Sequence, residues 1–289
     1  MREKKITWGK PPADVISLDD CEWYHIMEVP GIGITNGVFD CRKDIDNIFG
    51  NLDLKNKKVL NLGPITGYLN FEAERRGAEV TSIDLGVDPE NLQRDWVVDV
   101  KKPWRKDLAA FMERERKRRN AYWFAHKALK SKSKLIISHI NNLSDEVELH
   151  DIGIIFSVLV HIRDPYTALL RMCSHINEKI VITELGGYNM RKTLLNAIPF
   201  LYKLFKEKFI KQKKSPHMRF LPKPEKQGAA WWAFDKDTII IMLELLGFGK
   251  TRVIYHNYQD ENGKKVFQWT VIGERTVPID QCDYNYDPN

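Results

Sequence analysis

Paired cysteines are missing from this chain. Cys21, Cys41, Cys173 and Cys282 lie far apart, with no CxxC among them. That spacing speaks against a zinc site or a disulfide framework and for a reducing compartment. No metal site is expected. No uncharged apolar run approaches the roughly 20 residues of a membrane-spanning helix. The opening stretch, MREKKITWGKPP, carries charge but no apolar core, so no secretory signal is expected and a cytoplasmic location is. Also absent is the middle glycine of a G-x-G-x-x-G turn, the residue that lets a dinucleotide's pyrophosphate approach the backbone.

What is present is a 289-residue chain with 43% hydrophobic and 11% aromatic residues, enough for one large domain with a full core. Its organising stretch runs from Lys58 to Leu85. Val59-Leu60-Asn61-Leu62 reads as a strand buried on both faces, followed by Gly63, Pro64, Ile65, Thr66 and Gly67. FEAERR then has a helical pattern stopped by Gly77, and a second apolar run, Val80 to Ile83, ends on Asp84. Two glycines four apart let a turn pass close under a ligand without a Cβ. Such a turn suits a ligand with no phosphate to cradle, while Asp84 is placed to accept hydrogen bonds from both ribose hydroxyls. Adenosine held without phosphate points to S-adenosyl-L-methionine, with S-adenosyl-L-homocysteine as the product.

These residues resemble motif I and the acidic strand end of class I S-adenosylmethionine-dependent methyltransferases. FEAERRGAEV is similar to a narrower branch that includes the tRNA wobble-uridine 5-oxyacetate methyl- and carboxymethyltransferases. Trp23-Tyr24-His25, running on to Gly31–Gly37, resembles the covering segment of that branch, and Phe156-Ser157-Val158-Leu159-Val160-His161-Ile162-Arg163-Asp164-Pro165 its fourth-strand motif. The likeness covers most of residues 21–185. It implies an α/β, Rossmann-like fold: a seven-stranded, mostly parallel sheet with a C-terminal antiparallel hairpin and helices on both faces. Residues 1–50 are expected as an arm and covering segment over the cofactor pocket, 51–278 as the methyltransferase domain, and 279–289 as a tail without assignment.

Along the chain, Asp40–Gly50, Asp107–Arg119 and Ala121–Leu129 are expected as helices, as is the stretch after Pro165. Leu135–Ser138, Ile152–Ser157 and Ile180–Thr183 are expected as strands. A helix over Asp235–Leu246 precedes strands over Thr251–Tyr258 and Val266–Gly273, joined at Glu261-Asn262-Gly263.

The resemblance places Ser157 and Val158 beside the cofactor's methionine part, and Tyr24 and His25 near the methyl group. Many family members set an acid after the third strand to take the adenine amino group; here Asn142, or Asn141 one position earlier, would offer an amide oxygen. For chemistry, methyl transfer needs alignment of the acceptor and removal of its proton. His161 is the first candidate base and His25 the second, each with a structural alternative: His161 ordering its loop, His25 as a satisfied core histidine. Glu184 would orient a substrate hydroxyl or simply solvate a strand end. Trp231 and Trp232, with Glu225, resemble a family element near the acceptor, and two tryptophans suit stacking on a sugar or a base. Departures bear on the cofactor. Val160 and Gln268 stand where the carboxy-cofactor enzymes carry a tyrosine and an arginine, which favours ordinary S-adenosylmethionine. Asn61 replaces a common acid.

The formal charge of +6 is segregated: residues 101–134 carry net +10 and 191–226 net +9, leaving about −13 elsewhere. Basic insertions are thus expected at about 101–134 and 187–230, either meeting an anionic partner or forming solvated faces. Within 194–214, Leu194, Ile198, Leu201 and Phe205 share a helical stripe opposite lysines, a lid over the acceptor pocket or a peripheral membrane contact. Three functions compete. The first is O-methyl transfer to a small-molecule, sugar or lipid-linked glycan acceptor, anionic in one version. The others are RNA methylation, with a base stacked on Trp231 or Trp232, and cofactor binding without catalysis.

Overall fold

The computed structural model describes residues 5–14, 16–87, 108–185, 216–221, 230–260 and 265–284. Expectations for Glu225, the 194–214 stripe and most of both basic insertions lie outside these residues.

In chain order the strands are β1 (Glu28–Val29), β2 (Gly33–Ile34), β3 (Phe39–Asp40), β4 (Lys58–Leu62), β5 (Glu79–Asp84), β6 (Lys134–Ile137), β7 (His150–Phe156), β8 (Ile176–Leu185), β9 (Met218–Phe220), β10 (Trp232–Phe234), β11 (Lys250–Asp260) and β12 (Lys265–Glu274). The helices are α1 (Ile45–Ile48), α2 (Tyr68–Arg75), α3 (Leu108–Ala128), α4 (Pro165–Cys173) and α5 (Lys236–Leu245). The main sheet runs β3-β11-β12-β8-β7-β4-β5-β6. Strands β6, β5, β4, β7 and β8 are parallel, and β12 is antiparallel to both β8 and β11. Strand order reverses between β4 and β7, and the crevice outside their carboxyl ends is where open α/β sheets take ligands.

Alternation along the strands divides the core in two. Leu60, Leu62, Ile83, Ile155, Ile180, Ile182 and Val271 pack under α4 and α5. Val59, Val80, Ile154, Val181 and Ile272 pack with α1, α2, α3 and the segment from Trp23 to Phe49. Both faces being covered explains why β4, β7 and β8 read as near-continuous apolar runs.

Several expectations are corrected. The helices expected at 107–119 and 121–129 are one 21-residue helix. Asn120 does not break it: no glycine or proline interrupts the run, Glu113–Arg116 and Glu115–Arg118 pair one turn apart, and Asn120 Nδ2 donates to Asp20 O. The helix expected over Asp40–Gly50 shrinks to Ile45–Ile48, because Phe39 and Asp40 pair with β11 as an eighth, edge strand. Strand β8 continues to Leu185, so Glu184 lies within the sheet rather than beyond it. In the arm, Gly9 N–H donates to Leu135 O and Ile137 N–H to Thr7 O, which covers the open edge of β6. The tail is tied as well. Arg275 donates to Tyr284 Oη at 2.8 Å and to the carbonyls of Cys173 and Ile176, and Tyr284 donates to Leu246 O. Among the described residues, no helix is long and apolar enough to cross a membrane.

Candidate active site

The turn after β4 is held in a shape that side chains resist. Gly63 has φ +76° and Gly67 φ +89°, and between them Ile65, a β-branched residue, sits at φ +52°. Across the crevice Ser157, the first residue after β7, also sits at φ +52°. Non-glycine residues in this region are strained by about 1–3 kcal/mol each, and such strain concentrates at ligand sites. Two such positions here flank the switch point of the sheet. Thr183 O fixes Ser157 by accepting its N–H at 2.8 Å, and Ile83 O accepts that of Gly63 at 2.9 Å. Val158 packs directly over Gly63. The two glycines differ in what surrounds them. Space at Gly67 is filled by the rings of Phe71 and Tyr122, so it serves packing rather than ligand approach.

Beneath the turn, Asn61 is buried and its amide donates to Asn70 Oδ1 at 2.8 Å; Asn70 donates in turn to Ser82 Oγ at 3.0 Å. An uncharged hydrogen-bond chain thus occupies the place where an acid is common.

Asp84 ends β5. Its Oδ1 accepts the Leu85 N–H, and its Oδ2 lies 3.1 Å from Arg119 Nη2, on α3. Arg119 was visible in the sequence only as part of a basic run; the fold makes it the partner of the expected ribose acid. After β6, Asn141 and Asn142 lie on a 3-10 turn capped by His139, whose Nδ1 accepts the Asn141 N–H. Asn141 Oδ1 is buried and has no hydrogen-bond partner among the described residues, leaving it free to accept a donor such as an amino group.

The Trp23–His25 stretch is anchored to the turn. His25 is buried, and its Nδ1 lies 3.1 Å from Thr66 Oγ1, between the two glycines. Burial, reinforced by the Arg118 charge, lowers its pKa to about 3, so the ring is neutral at physiological pH. The Tyr24 ring packs tilted against Phe39, 4.7 Å between centroids, and lies under the Arg118 guanidinium; desolvation pushes its phenol up to about 12.

The remaining candidates collect around the 3-10 turn Leu159–His161 after β7. Glu184 is 1% exposed, with no ion pair and no hydrogen bond to either oxygen among the described residues. Desolvation raises its pKa to about 8, while the nearby amides of Leu159 and Val160 pull the other way. His161 sits on the same turn, its N–H bonded to Val158 O. Trp231 N–H donates to Val160 O at 2.8 Å, the Arg163 guanidinium lies 5.1 Å from the Trp231 ring centroid, and Trp232 Nε1 donates to Arg163 O. Phe220, exposed and 6.2 Å from Trp231, extends this aromatic surface. Glu184, His161, Trp231 and Trp232 are thus brought together, whereas Tyr24 and His25 approach from the other face of the sheet. Among the described residues no cluster of three or more His, Cys, Asp or Glu could hold a metal.

No family model matches the chain, and no curated protein does. Among solved structures, EvdMO1 superposes with a TM-score of 0.50 at 14% identity, over 89% of this chain and 45% of its own. The fold is that of the class I methyltransferases. The N-terminal domain of EvdMO1, solved with S-adenosylhomocysteine and D-fucose, aligns over 89% of this chain and 93% of its own at 17% identity and TM-score 0.48. Magnesium protoporphyrin IX methyltransferase (ChlM) from Synechocystis PCC 6803, with bound S-adenosylhomocysteine, aligns over 81% of each chain at 12% identity and TM-score 0.48.

Proposed function

We propose that the chain is an S-adenosylmethionine-dependent methyltransferase that transfers the methyl group to an oxygen of a small-molecule, sugar or glycan acceptor. The observation that carries the reading is the pair of strained residues, Ile65 after β4 and Ser157 after β7, which flank the switch point of the sheet. In this reading Gly63, Pro64 and Ile65 lie along the cofactor, Asp84 takes the ribose and Asn141 or Asn142 the adenine amino group. Ser157 and Val158 border the methionine part. The bound cofactor supplies a methyl group on a sulfonium; the chain's own residues orient the acceptor and take its proton.

His161, on the turn beside Ser157, is the group for that proton. His25, neutral and tied to Thr66, serves better as a buttress of the turn. Trp231, Trp232 and Phe220 form an aromatic wall suited to a sugar ring, and a protonated Glu184 would donate a hydrogen bond to an acceptor oxygen. A cytoplasmic location and an anionic or lipid-linked acceptor remain parts of this proposal.

The RNA alternative draws on the basic run of α3, but much of that charge is spent internally. Arg116 pairs with Glu113, Arg118 with Glu115 and Glu22, and Arg119 with Asp84. The test is calorimetric titration with S-adenosylhomocysteine, followed by incubation with methyl-labelled S-adenosylmethionine and fractionated cell extract. Binding with label in small molecules or glycolipid is the expected result. Label in RNA would favour the second reading, and binding without any transfer would favour a non-catalytic protein.

A further inference from the structure

A cavity of about 290 Å³ opens at the edge of the sheet, lined by Asp40, Lys43, Asp44, Asn257, Tyr258 and Lys265. None of the residues assigned above to cofactor or acceptor lines it. Its walls come from three stretches that strand pairing brings together. Gln259, near the end of β11, faces Asp40 of β3 on one side and Lys265 of β12 on the other. Past Asp40 the chain leaves the sheet, and Lys43 and Asp44 follow on the turn into α1. The Tyr258 ring is buried, 5.2 Å from that of Phe39, which packs in turn on Tyr24. With these elements fixed the hollow is preformed, as small-molecule sites usually are.

Charge decides what such a hollow can hold. Arg42 engages the Asp40 carboxylate: its backbone N–H and Nε donate to Oδ1, and its Nη2 donates to Oδ2 at 2.8 Å. That pairing holds the Asp40 carboxyl below the usual carboxylate range. Asp44 accepts from Asn47 Nδ2 at 2.7 Å and is hydrogen-bonded to His256 Nδ1. Both acids are thus engaged by groups outside the lining. Lys43 and Lys265 are exposed, and neither makes an ion pair among the described residues. Even with His256 counted as neutral, Arg42, Lys43 and Lys265 outnumber the carboxylates of Asp40 and Asp44. The two ammonium groups are therefore the charges left for a ligand. The acids keep a role. A carboxylate offers about four lone-pair sites, so Asp40 and Asp44 can each still accept from a hydroxyl, and the Asn257 amide can donate and accept.

We propose that this cavity is a second binding site, for a small hydroxylated anion: a sugar carrying a phosphate or a carboxylate. Lys43 and Lys265 take the oxyanion as point charges, with no fork geometry to satisfy. Asp40, Asp44 and Asn257 take ring hydroxyls, and Tyr258 closes the inner wall. The volume lies at the small end of the roughly 300–1,000 Å³ common for ligand sites, which suits a single sugar ring rather than an oligosaccharide. The site stands independently of the methyl-transfer reading.

The test is a titration of the full chain followed by proton–nitrogen-15 NMR, with glucose 6-phosphate, glucuronate and glucose as separate probes. At least one of the two anions should saturate with a dissociation constant of about 1 mM or tighter, moving the Asn257 side-chain amide and Tyr258 N–H signals. The tighter of the two identifies the source of the oxyanion. Added sodium chloride should weaken that binding. Replacing both lysines, Lys43→Ala with Lys265→Ala, should weaken it by about tenfold or more and leave S-adenosylhomocysteine affinity unchanged, whereas Lys43→Arg with Lys265→Arg should retain it. No saturable shift with either anion, or undiminished binding by the double alanine variant, would overturn the site. Glucose binding as tightly as the anions would overturn the role given to the lysines. Should the double variant not fold, salt decides on the wild type: binding indifferent to sodium chloride overturns the proposal. A wild-type chain that takes glucose 6-phosphate but not S-adenosylhomocysteine upholds this site and sinks the methyltransferase reading.

Discussion

Val158 Cγ2 lies 2.7 Å from the point where a Cβ on Gly63 would stand. The glycine is therefore required twice, by its φ of +76° and by the valine above it. Gly63→Ala should push Val158 out of line and weaken S-adenosylhomocysteine binding at least tenfold by calorimetry. Gly67→Ala, meeting Phe71 at 2.5 Å and Tyr122 at 2.8 Å, should instead act on stability, lowering it by about 2–4 kcal/mol in denaturant titration. Equal effects of the two on binding would refute the distinction.

Asp84 and Arg119 make a separable pair. Asp84→Ala should abolish measurable cofactor binding. Arg119→Met keeps the carboxylate but frees its orientation, and should cost about 1–2 kcal/mol, a five- to thirtyfold weaker dissociation constant. A stronger effect from Arg119→Met than from Asp84→Ala would place the recognition on the arginine.

Glu184 predicts an inverted pH dependence. The folded chain keeps its proton up to about pH 8, while the unfolded chain releases it near 4.5. Between those values the native state binds more protons, so stability falls as pH rises. Glu184→Gln should remove that slope and be more stable than wild type at pH 8, by an amount on the order of a few kcal/mol, with little difference at pH 4.5. Parallel melting curves for the two proteins across this range would contradict the assignment.

For His25 the sign is opposite. Its folded pKa is near 3 against 6.5 unfolded, so the unfolded state binds more protons below pH 6.5 and stability is lost as pH falls through that window. His25→Gln should flatten the acid side of the stability profile. It should also leave any pH–rate limb near neutrality in place, since the ring stays neutral there; disappearance of that limb would return His25 to the role of base.

The nucleotide-binding half was legible because its signals are local: β4, the glycine turn, α2 and Asp84 fall within 30 consecutive residues, each with its own period or stop. Glu184, an acid after Ile180–Thr183, reads in the sequence as a strand end, and only the pairing of Trp269 with it shows the strand going on. Arg119 looked like one charge in a run, and its direction toward Asp84 depends on the helix being unbroken. Asp44 and His256 are 212 positions apart, and no pattern in the chain joins them. In the sequence Gln268 stands where the carboxy-cofactor enzymes carry an arginine, but its amide, unmet among the described residues, is a fact of burial alone.

The guanidinium of Arg275 gathers chain segments far apart in sequence: the Cys173 carbonyl closing α4, the first residue of β8, and Tyr284. Helix α4 is capped by Asp164 and begins at Pro165, shortly after the turn that carries His161 and next to Arg163. A rivet at one end of that helix therefore steadies the wall of the crevice at the other. Loosening residues 279–284, remote from any ligand, would be felt as blurred alignment of the reactants before it was felt as unfolding.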